Sequence, residues 1–128
     1  MPAGLRQPGK QREVIVETGT TLSVDHTFAG KTVCNVGAGG ALTATLTSAA
    51  TGWKPGDDVL FLSCADQNFT VAGTAGQLIT FNDIAANSVA LSTASEKCGG
   101  ALLVTCVSGT KFHVALMTEE TQTATVAT

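Results

Sequence analysis

Residues 101–116 read ALLVTCV-SGT-KFHVAL, and the fold class turns on this stretch. Two β-rich runs, 101–107 and 111–116, flank Ser108-Gly109-Thr110, and Ser-Gly between two strands is a hairpin signal because glycine accepts positive φ without steric cost. In the second run Phe112, Val114 and Leu116 fall on one side while Lys111 and His113 fall on the other, which is the period of a strand covering a core with one face. Leu102-Leu103-Val104 is apolar on both faces, as is Val59-Leu60-Phe61-Leu62. Both runs are expected to be central strands, or strands whose outer face is covered by another subunit.

The same rhythm extends in both directions. Candidate strands occupy 13–17, 21–24, 31–36, 41–46, 58–64, 68–71, 77–81, 89–92, 101–107 and 111–116, separated by Gly, Asn, Asp and Pro, the pattern of a sandwich or barrel. Gly37-Ala38-Gly39-Gly40, Gly73-Thr74-Ala75-Gly76 and Gly99-Gly100 supply turns, and Pro55-Gly56 presets a tight one before the strongest strand. Residues 47–52 have room for one helical turn. No internal repeat stands out from this rhythm, so the chain reads as one module. It divides into an extended N-terminal arm over 1–12, a β-sandwich domain over 13–117 and a C-terminal tail over 118–128. The arm holds two of the three prolines and three of the seven basic residues, Arg6, Lys10 and Arg12. For both ends, a plain solvated tail and a segment that orders on a partner stay open.

Composition narrows the function. Of 128 residues, 44% are hydrophobic and 13% charged, against roughly 25% charged in soluble domains. Two explanations stay open: a subunit that hides its exterior against neighbours, and a β protein coated with Thr and Ser. A net charge of −3 argues against nucleic acid, which needs clustered Lys and Arg. No apolar run reaches the ~20 residues of a membrane span, and the N-terminus lacks the apolar core of a signal peptide, so synthesis in a cytoplasm is expected. Cys34, Cys64, Cys98 and Cys106 form no C-x-x-C pair, and with only His26 and His113 available a zinc site is not expected. Free thiols are expected in a reducing compartment, with disulfide pairing left open. Asn68-Phe69-Thr70 matches a glycosylation acceptor, and without a secretory signal it reads as accidental.

Candidate chemistry is thin. Asp57-Asp58 follows Pro55-Gly56, where acids close turns through their side chains. His113 falls on the outer face of a strand, and His26 lies in the turn Asp25-His26-Thr27 with no cysteine tied to it. Gly37 to Gly40 lacks the dinucleotide fingerprint and no helix follows. The expectation is therefore no enzyme, no metal, no cofactor and no small-molecule substrate. Phe61, Phe69, Phe81 and Phe112 sit at strand positions that read as core. Trp53 lies at a turn, where plugging one end of the sandwich is preferred over an exposed contact.

Residues 20–117 resemble a module that recurs in tailed-bacteriophage structural proteins, both head decoration (cement) proteins and tail-fibre or appendage domains. The likeness rests on Thr20-Thr21-Leu22-Ser23-Val24, Ala29-Gly30-Lys31-Thr32-Val33, Ala41-Leu42-Thr43-Ala44-Thr45-Leu46, Gly56-Asp57-Asp58-Val59-Leu60-Phe61, Asn68-Phe69-Thr70-Val71, Gly76-Gln77-Leu78-Ile79 and Gly109-Thr110-Lys111-Phe112-His113-Val114. Thr47 and Phe112 stand where that module often carries Pro and Trp. The resemblance implies a jelly-roll-like β-sandwich, a virion location on the capsid exterior, the major capsid protein as partner and a homotrimer. The alternative it implies is a tail-fibre, head-fibre or appendage domain that attaches to a host surface. A chain opening with its own Met1 and lacking a fibre's long repeats favours decoration. Leu5, Arg6, Lys10, Arg12 and Trp53 are then the candidate capsid contacts, the basic ones meeting acidic shell surface.

Overall fold

Turn residues set where the strands begin and end. The computed structural model describes residues 12–117 and 122–128. Within them lie β1 (Val14–Val16), β2 (Thr21–Val24), β3 (Lys31–Cys34), β4 (Leu42–Leu46), β5 (Asp58–Leu62), β6 (Phe69–Ala72), β7 (Leu78–Thr80), β8 (Asp83–Ala86), β9 (Ser88–Leu91), β10 (Ala101–Cys106), β11 (Phe112–Leu116) and β12 (Thr125–Ala127). The one helical element among the described residues is a 3-10 turn, His26–Phe28, capped by the Asp25 side chain, which accepts from Thr27 N–H. Ahead of β5 the Pro55-Gly56 turn closes with Asp57 N–H donating to Lys54 O at 2.9 Å and Gly56 at φ +97. Asp57 Oδ2 accepts from Lys54 N–H at 2.9 Å, so this acid closes a turn.

The chain is all-β, with two mixed sheets around one core. A seven-stranded sheet runs β1-β3-β5-β10-β11-β7-β8 and a five-stranded sheet β12-β9-β6-β4-β2. From β1 to β6 the chain changes sheet at every step. As a result β1, β3 and β5 are parallel neighbours in one sheet, and β2, β4 and β6 in the other. Parallel pairing needs a long crossover between the paired strands, and here each crossover is a strand of the opposite sheet. Residues 14–72 therefore wind as a flattened coil, which β7 to β12 then flank and close. β5 and β10 are interior strands of the larger sheet, as their two-sided apolar runs predict.

Period-2 alternation delivers the core. Val59, Phe61, Leu102, Val104, Phe112 and Val114 point inward from the large sheet, and Leu42, Ala44, Leu46, Phe69, Val71, Val89 and Leu91 from the small one. Phe61 on β5 and Phe69 on β6 meet edge to face at 6.0 Å across the two sheets. Each such fully buried side chain stabilises the fold by roughly 1.5–3 kcal/mol. The turn glycines also serve packing: a Cβ on Gly52, at φ +89, would come within 2.5 Å of His26 Nδ1.

Three sequence expectations need correction. Phe81 is not a core strand residue: it is 52% exposed at φ +46, and Asn82 follows at φ +66. Together they form the two-residue loop of the β7–β8 hairpin, whose positive φ values match a type I′ turn. Leu78 and Thr80 take the inward positions, which leaves Phe81 out of phase. The C-terminal tail is not wholly outside the domain, because Thr125–Ala127 pairs antiparallel with β9 and Val126 packs on the core. Arg12, assigned to the arm, is bound to the body of the domain as described below.

Candidate interaction surface

The two sheets present chemically different outer faces. On the small sheet, register aligns Thr21, Thr43, Thr70, Ala90 and Thr125 in one row and Ser23, Thr45, Ala72, Ser88 and Ala127 in the next. This face is hydroxyl and methyl, without a charge in either row. On the large sheet, one outward row is Val14, Thr32, Leu60, Leu103 and Ala115. A second holds Val16, Cys34, Leu62 and Ala101, and Met117 extends it through its N–H bond to Ala101 O at 2.8 Å. A third row on the same side holds Asp58, Thr105, His113 and Ile79, so the charge on this face gathers at one end.

Apolar exposure concentrates at the margins of the large sheet. Val14 and Val16 on edge strand β1 are 57% and 53% exposed, and Met117, at the end of the interior strand β11, is 54% exposed. At the opposite edge Phe81 and Ile84 are 52% and 75% exposed. A bulky residue at positive φ is strained by about 1–3 kcal/mol and persists where its surroundings hold it, most often at functional positions. An edge strand with apolar side chains is a template for pairing with another chain. Val14, Val16 and Phe81 fall in runs that read as strands in the sequence, whereas Ile84 and Met117 fall in none, and the sequence does not show which strands are edges. The signal for Phe81 was Asn82-Asp83, a pair suited to a tight turn.

Arg12 fixes the point where residues 1–11 join the domain. Its Nη1 donates to Asp58 Oδ1 at 3.0 Å, its Nε to Thr32 Oγ1 at 3.1 Å and its Nη2 to Lys31 O at 2.9 Å. The guanidinium is spent inside the chain, so Arg12 anchors the segment and is not free to meet a partner's carboxylate. Glu13 lies 3.8 Å from Lys31 Nζ, adding a second, weaker tie at the same corner. Leu5, Arg6 and Lys10 lie outside the described residues.

Trp53 is buried, with 7% of its surface exposed. Its ring meets Phe112 edge-on at 5.1 Å and its indole N–H donates to Thr47 Oγ1 at 3.0 Å. It closes one end of the core and offers no open ring face to a partner.

Of the polar side chains singled out for chemistry, both acids are engaged structurally. Asp57 closes the turn and Asp58 holds Arg12. Lys111 Nζ donates to Gly76 O and Ile84 O at 2.6 and 2.7 Å, tying down the base of the β7–β8 hairpin. His113 is exposed on β11 opposite Thr105 and Ile79. Asp83 is held below the usual carboxylate range by the Ala85 N–H and then by the Thr128 hydroxyl, which pins the C-terminus to this hairpin. Asp25 is lowered by its bonds from Thr27. Among the described residues no group of three His, Cys, Asp or Glu side chains is arranged to hold a metal ion, and no helix is long and apolar enough to cross a membrane. In comparison with known proteins, no family model and no curated protein matches the chain.

Proposed function

We propose that the chain is a structural protein of a larger assembly, built to bury one sheet face and its edges against neighbouring subunits. The carrying observation is the outer side of the seven-stranded sheet, uncharged along two rows, with exposed Val14 and Val16 at one edge, Phe81 and Ile84 at the other, and exposed Met117 at the end of the interior strand β11. Large exposed apolar areas on a small domain mark interaction sites.

Within that class we read it as a capsid decoration protein of a tailed bacteriophage, binding the major capsid protein on the shell exterior as a homotrimer. The resemblance over residues 20–117 supplies the virion setting, and the apolar face supplies the means. Many weak contacts with several shell subunits act together as a multivalent clamp. Residues 1–11 serve as the arm reaching a neighbour, with Arg12 as its fixed root and Leu5, Arg6 and Lys10 as its contacts. The jelly-roll likeness holds only as two sheets around one core: five of the pairings are parallel, whereas a jelly roll is built from antiparallel strands.

The test is rebinding to shells that lack the chain. Deleting residues 1–11 and, separately, replacing Val16 by Glu should each weaken binding at least tenfold. The urea midpoint should stay close to that of the parent, since exposed substitutions cost about 0.5 kcal/mol or less. Parent-like binding by both variants would overturn the reading, and attachment to host cells with no affinity for shells would move the protein to the fibre class.

A further inference from the structure

Three of the four cysteines meet at one corner of the large sheet. Cys34 ends β3 with Leu62 of β5 as its register partner. Alternation sends Leu62, and Cys64 two residues beyond it, to the same side as Cys34. The backbone past β5 is held on both sides. Ser63 N–H donates to Gly100 O at 2.8 Å, Ser63 O accepts from Gly99 N–H at 2.7 Å, and Cys64 N–H donates to Asn35 Oδ1 at 2.6 Å. The Gly99 bond brings Cys98, its chain neighbour, alongside. The Cys64 thiol lies close enough to the thiols of Cys34 and Cys98 to interact with both electrostatically. Cys34 is buried, whereas Cys64 and Cys98 are exposed. Two buried polar atoms border the cluster, Asn35 Nδ2 and Ser63 Oγ, with no hydrogen-bond partner among the described residues. The fourth cysteine, Cys106, faces the core and donates to Ser108 O at 3.3 Å.

We propose that Cys34 and Cys64 form a thiol–disulfide exchange site that closes a disulfide when the protein meets a low-molecular-weight disulfide. The exposed Cys64 thiolate attacks one sulfur of the small disulfide, making a mixed disulfide and expelling one small thiolate. Cys34, brought alongside by the β3–β5 register and the Cys64 N–H bond to Asn35, then attacks the Cys64 sulfur, forming the Cys34–Cys64 bond and releasing the second small thiol. Two protein thiols are oxidised to one disulfide, one small disulfide is reduced to two thiols, and the two protein protons pass to solvent or to the departing thiolates. Partial burial of the sulfur, together with the neighbouring thiols, raises the Cys64 pKa, so exchange is slow at neutral pH and quickens as pH rises. The bond joins the ends of two strands that are already paired. It leaves the fold in place while restricting the unfolded chain, so the oxidised protein is the more stable form. The site is independent of the capsid reading.

Full-length reduced protein is incubated with oxidised glutathione at pH 8, denatured, alkylated and mapped by mass spectrometry without reduction. The expected product lacks two hydrogens, links the Cys34 and Cys64 peptides, and leaves Cys98 and Cys106 alkylated. Its thermal midpoint is higher than that of the reduced form. Cys34→Ser should stop at a glutathione adduct on Cys64, Cys64→Ser should show no oxidant-dependent midpoint shift, and Cys106→Ser should behave as the parent. Four alkylated cysteines, glutathione retained on Cys98 alone, or a Cys64–Cys98 link in the parent would overturn the proposal.

Discussion

Replacing Trp53 by Ala tests how this core is closed. The side chain is 7% exposed, its ring packs edge-on against Phe112 at 5.1 Å, and its N–H is satisfied by Thr47 at 3.0 Å. Truncating a buried aromatic costs about 3–5 kcal/mol, from lost transfer energy and the cavity left behind. At about 4 °C per kcal/mol for a domain of this size, the midpoint should fall by ~12–20 °C. Trp53→Phe keeps most of the ring and loses only the hydrogen bond and some volume, so about 1–2 kcal/mol is expected. Urea unfolding followed by far-UV circular dichroism measures both, with an unchanged slope reporting that the two-state reference is intact. Trp53 is the sole tryptophan, so native fluorescence reports this site alone. Its emission should be blue-shifted and poorly quenched by acrylamide. A loss under about 1 kcal/mol, or quenching like that of free tryptophan, would show that Trp53 does not close the core.

Other outcomes follow from the same geometry. Arg12→Ala should cost about 1 kcal/mol in urea unfolding, a modest figure because both partners of the Asp58 pair are one-third exposed; a cost above about 3 kcal/mol would mean a buried anchor. Phe81→Asn removes a bulky residue from positive φ and should stabilise the domain by about 1 kcal/mol while weakening shell binding; weaker stability would refute the strained-turn reading. Asp25 and Asp83 have folded pKa values below their unfolded value of 3.8. Their contribution is therefore present above pH 3.8 and lost as pH falls through the lower folded values. Carboxyl NMR titrations should place both midpoints below 3.8, and values at or above it would contradict the assigned hydrogen bonds. Val126→Asp should detach β12, destabilise the domain and expose the edge of β9, read as faster hydrogen exchange in residues 88–91.

The fold was legible where the signal was local. Each of the ten predicted runs holds a strand, because alternation in Phe112/Val114 or Leu42/Ala44/Leu46 is fixed by which face is buried. Sheet partners were not legible. The parallel winding of β1 to β6 is set by pairings such as Val14 with Thr32 and Lys31 with Val59, whose unequal spacing leaves no repeat in the sequence. Strands β8 and β12 escaped because Asp83-Ile84-Ala85-Ala86 and Thr125-Val126-Ala127 are short and weakly alternating, and their pairing depends on β7 and β9. Of the candidate contacts, Trp53 and Arg12 illustrate the limit of composition. A turn tryptophan and a basic residue beside prolines read as surface, and only the three-dimensional neighbours, Phe112 and Asp58, bind them to the domain. Val14, Val16, Phe81 and Ile84 became candidates only once their strands proved to be edges.

On the capsid reading a tailed phage encodes the chain, and the most direct test is quantitative mass spectrometry of that phage's purified particles, measured as copies per major capsid protein. A ratio near one is expected for a shell decoration protein. A ratio of a few hundredths would place it at the tail or vertices, and its absence from the particle would contradict a virion role altogether.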